Sequence, residues 1–192
     1  MSLQEKIMLC NIVFFLWCGI LIDRVMFMKL VFVNEINYPV FRQFILYYLY
    51  EIYDFTDGLT MDEFGNYEYE GIESYLSDPS LKAFLMVEDG KYIGFLMLNK
   101  GRYIPKGYDY SIHELFVAKP YRNKGYARMA LEEIFTYYKG KYLVMQLEKN
   151  LNALRFWRHY YEQTEISIVE KRTQIDGIWV LMQTFLILYI GR

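Results

Sequence analysis

An apolar run from Tyr108 to Val117 passes through Ala118-Lys119-Pro120 into Arg122-Asn123-Lys124-Gly125, and a helical pattern from Tyr126 to Tyr138 follows at once. A strand that enters a helix through so short a turn needs a sheet with helices laid against it. Met129, Ala130, Ile134 and Tyr137 are available for one face of that helix, and Gly140 is expected to stop it. The helix start also has a chemical consequence. Its first N–H groups lack partners inside the helix and point outward, and the helix dipole adds about half a positive charge there. Gly125 allows a close backbone approach, the small Ala127 leaves the ligand side open, and Arg122 and Lys124 add charge, which suits phosphate groups. The phosphate-loop pattern G-x-x-x-x-G-K-[ST] and the dinucleotide pattern G-x-G-x-x-G are both absent.

The remaining segments extend this to a whole fold. Lys29 to Val33 predicts a short strand, and Asn34 to Pro39 a turn into a helix that runs to about Tyr53. Its Phe41, Phe44, Ile45, Tyr48, Leu49 and Ile52 recur at spacings of three and four and form one apolar stripe, read as core. Ser80 to Glu88 and Lys91 to Leu98 are apolar runs joined by Asp89-Gly90, a dipeptide suited to a tight antiparallel hairpin. Tyr142 to Leu147 predicts a buried strand, Asn150 to Tyr161 a helix, and Glu165 to Glu170 with Ile178 to Leu188 a last strand pair around Asp176-Gly177. The order of these elements implies an α/β or α+β fold in which helices cover a largely antiparallel sheet. At 192 residues there is room for one such domain and not for two ordinary ones.

Composition excludes more than it selects. Charged residues are 23% and the net charge is -2, which argues against disorder and against nucleic-acid binding; no basic-aromatic stripe supports the latter. The charges are segregated. From Glu51 to Asp89 eleven acidic residues, among them Asp62, Glu63, Glu68 and Glu70, stand against Lys82 alone, whereas Lys119 to Arg158 holds nine basic residues against three acidic ones. The two cysteines, Cys10 and Cys18, support neither a disulfide framework nor a thiol site and fit a reducing cytoplasm. His113 and His159 have no Cys or paired carboxylate at ligand spacing, so no metal is expected.

Residues 1–27 are set apart from the domain assigned to 28–192. Ile7 to Ile22 is nearly all apolar, and as a helix its sixteen residues fall short of the roughly 20 that cross a bilayer. No small-residue cleavage site follows it. Three placements fit, in this order: a helix covering an apolar face of the domain, a helix exchanged with a second copy to form a homodimer, or a membrane-surface anchor. Met28 as the natural start is a fourth reading.

The stretch Ile112-His113-Glu114-Leu115-Phe116-Val117-Ala118-Lys119-Pro120-Tyr121-Arg122-Asn123-Lys124-Gly125-Tyr126-Ala127 resembles the central signature of the GNAT acyltransferases, an apolar strand, a proline-containing turn and then [RQ]-x-x-G-x-[GA]. Downstream, Asn150-Leu151-Asn152-Ala153-Leu154-Arg155-Phe156-Trp157 resembles that family's N-x-x-A-x-x-F-[YW] helix start. The resemblance covers Met28 to Leu188. It implies a sheet splayed at the cofactor site, acetyl-coenzyme A as cosubstrate and an amine as acceptor, with direct attack and no covalent enzyme intermediate. Backbone N–H groups from Asn123 to Ala127, including those of Lys124, Gly125 and Tyr126, would hold the pyrophosphate beside Arg122. Leu115, Phe116 and Val117 would pair with the pantetheine arm, and Asn150 and Phe156 would lie along the other wall.

For the chemistry, Glu114 is the candidate base, one residue before the pantetheine-pairing segment. The tyrosine that many family members use to protonate the departing thiolate corresponds here to Trp157, whose indole cannot do so. Tyr160 and Tyr161, one turn further, are the candidate acids. His113, neighbouring Glu114 on a strand, is expected on the opposite face of the sheet. The acidic segment implies a cationic acceptor: a polyamine, an amino sugar or a basic peptide. The absence of tyrosine at Trp157 motivates an alternative, a non-catalytic coenzyme A-binding regulatory module, and Ile7 to Ile22 another, a membrane-associated acetyltransferase.

Overall fold

The computed structural model of the chain describes residues 27–56 and 60–188, so Ile7 to Ile22, with its expected helix and its placements, lies outside the described residues. The first strand, β1 (Met28–Phe32), is followed by helix α1 (Tyr38–Ile52). Asn37 fastens the join: its Nδ2 donates to Phe32 O at 3.0 Å and its Oδ1 accepts from Asn34 N at 2.8 Å. Pro39 sits in the first turn of α1, where its missing N–H costs nothing. Single 3-10 turns at Tyr53–Phe55 and Ile72–Leu76 lie within the acidic segment.

Strands β2 (Leu81–Glu88) and β3 (Lys91–Asn99) form the predicted hairpin, with both turn residues at positive φ, 46° at Asp89 and 74° at Gly90. Then come β4 (Tyr110–Val117), a 3-10 turn at Lys119–Tyr121, helix α2 (Tyr126–Tyr137), β5 (Gly140–Leu147), helix α3 (Leu151–Thr164), β6 (Ile168–Ile175) and β7 (Ile178–Ile187). Several boundaries differ from the sequence reading, two of them at helix ends. The chain leaves α2 at Tyr138, already extended, so Gly140 does not end the helix but opens β5 beside the side chain of Asp109. Helix α3 runs on to Thr164 and closes on Glu165 in the left-handed conformation, which moves the start of β6 from Glu165 to Ile168.

The seven strands make one sheet in the order β1-β2-β3-β4-β5-β7-β6, antiparallel at every neighbouring pair except β4 and β5. Helix α1 covers one face. Phe41, Phe44, Ile45 and Leu49 of its stripe pack with Leu85, Phe95 and Phe116, and Phe41 meets Phe95 edge-on at 5.5 Å. Helices α2 and α3 cover the other face, where Phe135, Tyr142, Tyr160 and Phe185 interlock and Tyr142 stacks on Phe185 at 5.3 Å. Each such fully buried side chain contributes about 1.5–3 kcal/mol. Much of the aromatic content therefore lies between sheet and helices, and the two layers fix β4 and β5 from both sides.

Candidate active site

The site begins where two strands stop pairing. β4 and β5 are paired only at Tyr110–Tyr142, Ser111–Leu143 and Ile112–Val144, although β4 continues to Val117 and β5 to Leu147. Past Ile112, β4 remains bonded to β3 and β5 to β7, so the sheet parts between them. The closed end is clamped by Asp109, whose N–H donates to Lys141 O at 2.8 Å and whose Oδ2 accepts from Lys141 N at 2.7 Å. The break coincides with a bulge: Met97 lies opposite Glu114 and Leu98 opposite Ile112, leaving His113 as the extra residue. Bulges bend a strand and raise its local twist, which turns β4 away from β5.

The bulge breaks the alternation along β4: Ile112, Leu115 and Val117 all pack on the α2–α3 side, whereas Glu114 bonds to Tyr48 of α1. His113 is exposed and near enough for its charge to act on Glu114.

At the far end of β4 the turn remains open. Gly125 is the residue before α2, at φ 82°, and a Cβ built there has no atom within 4 Å. Asn123 is also left-handed, at φ 60°. The first bond inside α2 runs from Met129 N to Gly125 O. Among the described residues nothing accepts from the N–H groups of Asn123, Lys124, Gly125 or Ala127. The start of α2 is held by buried Tyr126, whose hydroxyl donates to Glu88 of β2. Four such amides at the positive end of a twelve-residue helix are groups to which an anion could bond.

Arg122 has a different place from its neighbours. Its Nε donates to Val117 O at 2.7 Å, one terminal nitrogen donates to both oxygens of Glu51 at 2.8 and 2.9 Å, and its guanidinium lies 5.4 Å from the ring centre of Phe116. Its own N–H donates to Lys119 O at 3.3 Å. Its charge is thus spent on tying α1 to the end of β4, whereas Lys124 is exposed beside Gly125, 5.5 Å from the ring centre of Tyr121.

Glu114 is half-buried on the α1 side of the parting. Tyr48 of α1 donates to its Oε2, and Tyr69, from the acidic segment, donates to Oε1 at 3.3 Å. Burial pushes its carboxyl above the ordinary range, against the opposing pull of His113 and the two hydroxyls. Sequence reasoning counted Tyr48 as core and did not single out Tyr69. The available signal was slight: Tyr48 is the one hydroxyl-bearing member of the apolar stripe of α1.

On the other wall, Asn150 caps α3, its Oδ1 accepting from Ala153 N at 3.1 Å. Phe156 is partly buried beside Trp157 and Tyr160. Trp157 is buried against Tyr161, a packing residue. Tyr161 is buried too, and its hydroxyl donates to Gln183 at 3.0 Å. Tyr160 makes no hydrogen bond through its hydroxyl among the described residues, and burial pushes its pKa up to about 12. Among the described residues no group of three or more His, Cys, Asp or Glu is gathered as a metal site would need, and no helix is long and apolar enough to cross a membrane.

A parted parallel pair, an open helix start and a carboxylate beside the parting lie within residues 46–161, the span matched by the model of the acetyltransferase (GNAT) family. The chain belongs to the GNAT family. Solved structures agree on the fold of this GNAT protein. An acetyltransferase from Thermus thermophilus superposes with a TM-score of 0.60 at 19% identity, over 83% of this chain and 97% of that one. Arabidopsis thaliana NAA60, in complex with a bisubstrate analogue, gives 0.55 at 15% identity over 84% and 100%. A chimera of the spermidine N-acetyltransferase SpeG from Vibrio cholerae and hSSAT gives 0.52 at 16% over 83% and 95%. No curated protein matches significantly in sequence.

Proposed function

We propose that this GNAT protein transfers an acetyl group from acetyl-coenzyme A to a primary amine of a cationic acceptor. The observation that carries the reading is the set of amides at the start of α2 that have no acceptor among the described residues, at the end of parted strands. The fit to a diphosphate rests on those N–H groups of Asn123, Lys124, Gly125 and Ala127, on the empty space around Gly125 and on the charge of Lys124. Leu115, Phe116 and Val117, past the last β4–β5 pair, offer the edge along which the pantetheine arm lies, with Asn150 and Phe156 across from it. Tyr126 and Arg122 shape this place from behind.

Acetyl-coenzyme A supplies a thioester whose acetyl carbon is open to a neutral amine. Glu114 removes the proton from the amine as its nitrogen bonds to that carbon, directly or through a water. A carboxyl raised by burial is better matched to this task than an ordinary one. As the carbon–sulfur bond breaks, Tyr160, whose hydroxyl has no acceptor among the described residues, returns a proton to the sulfur. The acceptor's charge is met by exposed Glu63, Glu68 and Glu70. Asp62 serves its own turn, its Oδ1 accepting from Phe64 N at 2.9 Å and Asn66 N at 2.8 Å.

The SpeG chimera is by name a spermidine N-acetyltransferase, which supports an amine acceptor without naming this one. The test is thiol release from acetyl-coenzyme A across a panel of polyamines, amino sugars and basic peptides. Turnover with KM raised by salt and by neutralising Glu63, Glu68 and Glu70 together is expected. Coenzyme A binding without turnover on any amine would favour the regulatory module instead.

A further inference from the structure

Two tyrosines reach Glu114 from different parts of the chain. Tyr48 lies 66 residues before it, on the face of α1 that packs against Phe95 and Phe116 with ring centres 5.9 and 6.2 Å away. Tyr69 lies 45 residues before it, in the acidic segment. That segment is held by a bridge between Met61 and Tyr67, by the Asp62 turn and by the ring of Tyr67 against Tyr53 at 6.0 Å. One hydroxyl takes each carboxylate oxygen. A carboxylate has about four lone-pair positions, so two remain for a proton from the acceptor.

Resting on the reading of Glu114 as the base, we propose that Tyr48 and Tyr69 are positioning residues for it, one holding each oxygen so that the carboxylate meets the acceptor in a fixed orientation and in its ionised form. Neither touches the reacting atoms in this account. Tyr69 adds a second consequence, because it brings the acceptor-side segment into register with the base: the base is fully oriented only when that segment is seated.

The groups acting on Glu114 are few. Tyr48 comes from α1, Tyr69 from the acidic segment, Tyr75 from the 3-10 turn beside it and His113 from its own strand. Tyr75 is committed elsewhere, its hydroxyl donating to Asn99 at 2.6 Å. Burial works against ionisation, and the two hydroxyls and His113 work for it. Removing a hydroxyl that bonds to the charged form raises the pKa of the acid.

The test is a carbon-13 NMR titration of the full chain, free of ligand, with labelled glutamate carboxyls and Glu114 assigned by its loss in Glu114→Gln. Tyr69→Phe is expected to move the titration of Glu114 upward by about one pH unit, and Tyr48→Phe, which keeps the ring on Phe95 and Phe116, to do the same. The acidic limb of kcat/KM moves with it in each variant. A Glu114 titration unmoved in both variants, whatever happens to turnover, overturns the proposal. Failure of the parent reading looks different: wild-type protein that acetylates no amine, or full activity in Glu114→Gln, removes the base while leaving the NMR shifts intact.

Discussion

Arg122 holds Glu51 through one terminal nitrogen, at 2.8 and 2.9 Å, while its Nε holds the carbonyl of Val117 at 2.7 Å. One guanidinium thereby joins the last turn of α1, which leads into the acidic segment, to the last residue of β4, which leads into the open turn. Arg122→Ala is expected to weaken acetyl-coenzyme A about tenfold, or 1.4 kcal/mol, by calorimetric titration. Arg122→Lys is not expected to restore it, because an ammonium is a point charge and cannot serve both acceptors as a fork does. Coupling between Arg122→Ala and Glu51→Gln in a double-mutant cycle would identify the tie as the cause.

Gly94 governs how near β3 lies to the end of β4. A Cβ there would stand 2.2 Å from the carbonyl oxygen of Phe116 and 3.0 Å from the Cα of Val117, both backbone atoms that only a strand movement can relieve. Gly94→Ala is expected to cost about 1–3 kcal/mol, read as a fall in Tm of several degrees. It should also weaken acetyl-coenzyme A, because the displaced residues are those proposed to pair with its arm.

Glu114 links stability to activity with opposite signs. Folding raises its pKa above the usual 4.5, so the native state keeps the proton more firmly than the unfolded chain does. Its contribution to stability is complete below about 4.5 and is lost as pH rises through the raised value. Glu114→Gln is therefore expected to have a higher Tm than wild type at about pH 8 and an equal one at about pH 4. The same variant should lose on the order of 10²–10⁴ in kcat/KM.

Tyr160 and Tyr161 are adjacent in sequence and separable in function. Tyr161 donates into a buried relay in which Gln183 also accepts from Gln146 at 3.0 Å and donates to Glu170 at 2.6 Å. Tyr161→Phe is expected to lower Tm by a few degrees with kcat within about threefold, since one buried hydrogen bond is worth roughly 1 kcal/mol. Tyr160→Phe is expected to lower kcat on the order of 10²-fold with little change in Tm. Equal kcat in the two variants would leave solvent as the proton source.

The parts of the fold that were legible in the sequence are those dictated by neighbours along the chain. The α1 stripe, the two Asp-Gly hairpins and the Gly125 helix start all rest on local periodicity or on a local need for positive φ. The start of β6 departs from the sequence pattern because Glu165, at φ 55°, adopts a conformation that rarely suits glutamate. The parting of β4 and β5 followed from the resemblance, but its local cause did not: the bulge at His113 depends on β3 and has no one-strand signature. Arg122 shows the same limit. Its position in the signature suggested charge for a phosphate, and only the approach of Glu51, 71 residues earlier, reveals where that charge is spent. The pairing of Tyr48 and Tyr69 on Glu114 is likewise set by the packing of α1 and of the acidic segment, not by spacing.

The amides past Pro120 can be watched one by one in a nitrogen-15 NMR titration of the whole protein. Acetyl-coenzyme A is expected to shift the N–H signals of Asn123, Lys124, Gly125 and Ala127, and acetyl-pantetheine, which lacks the diphosphate, to leave them in place while shifting Leu115 to Val117. Saturation with acetyl-coenzyme A while those four signals stand still would contradict the account.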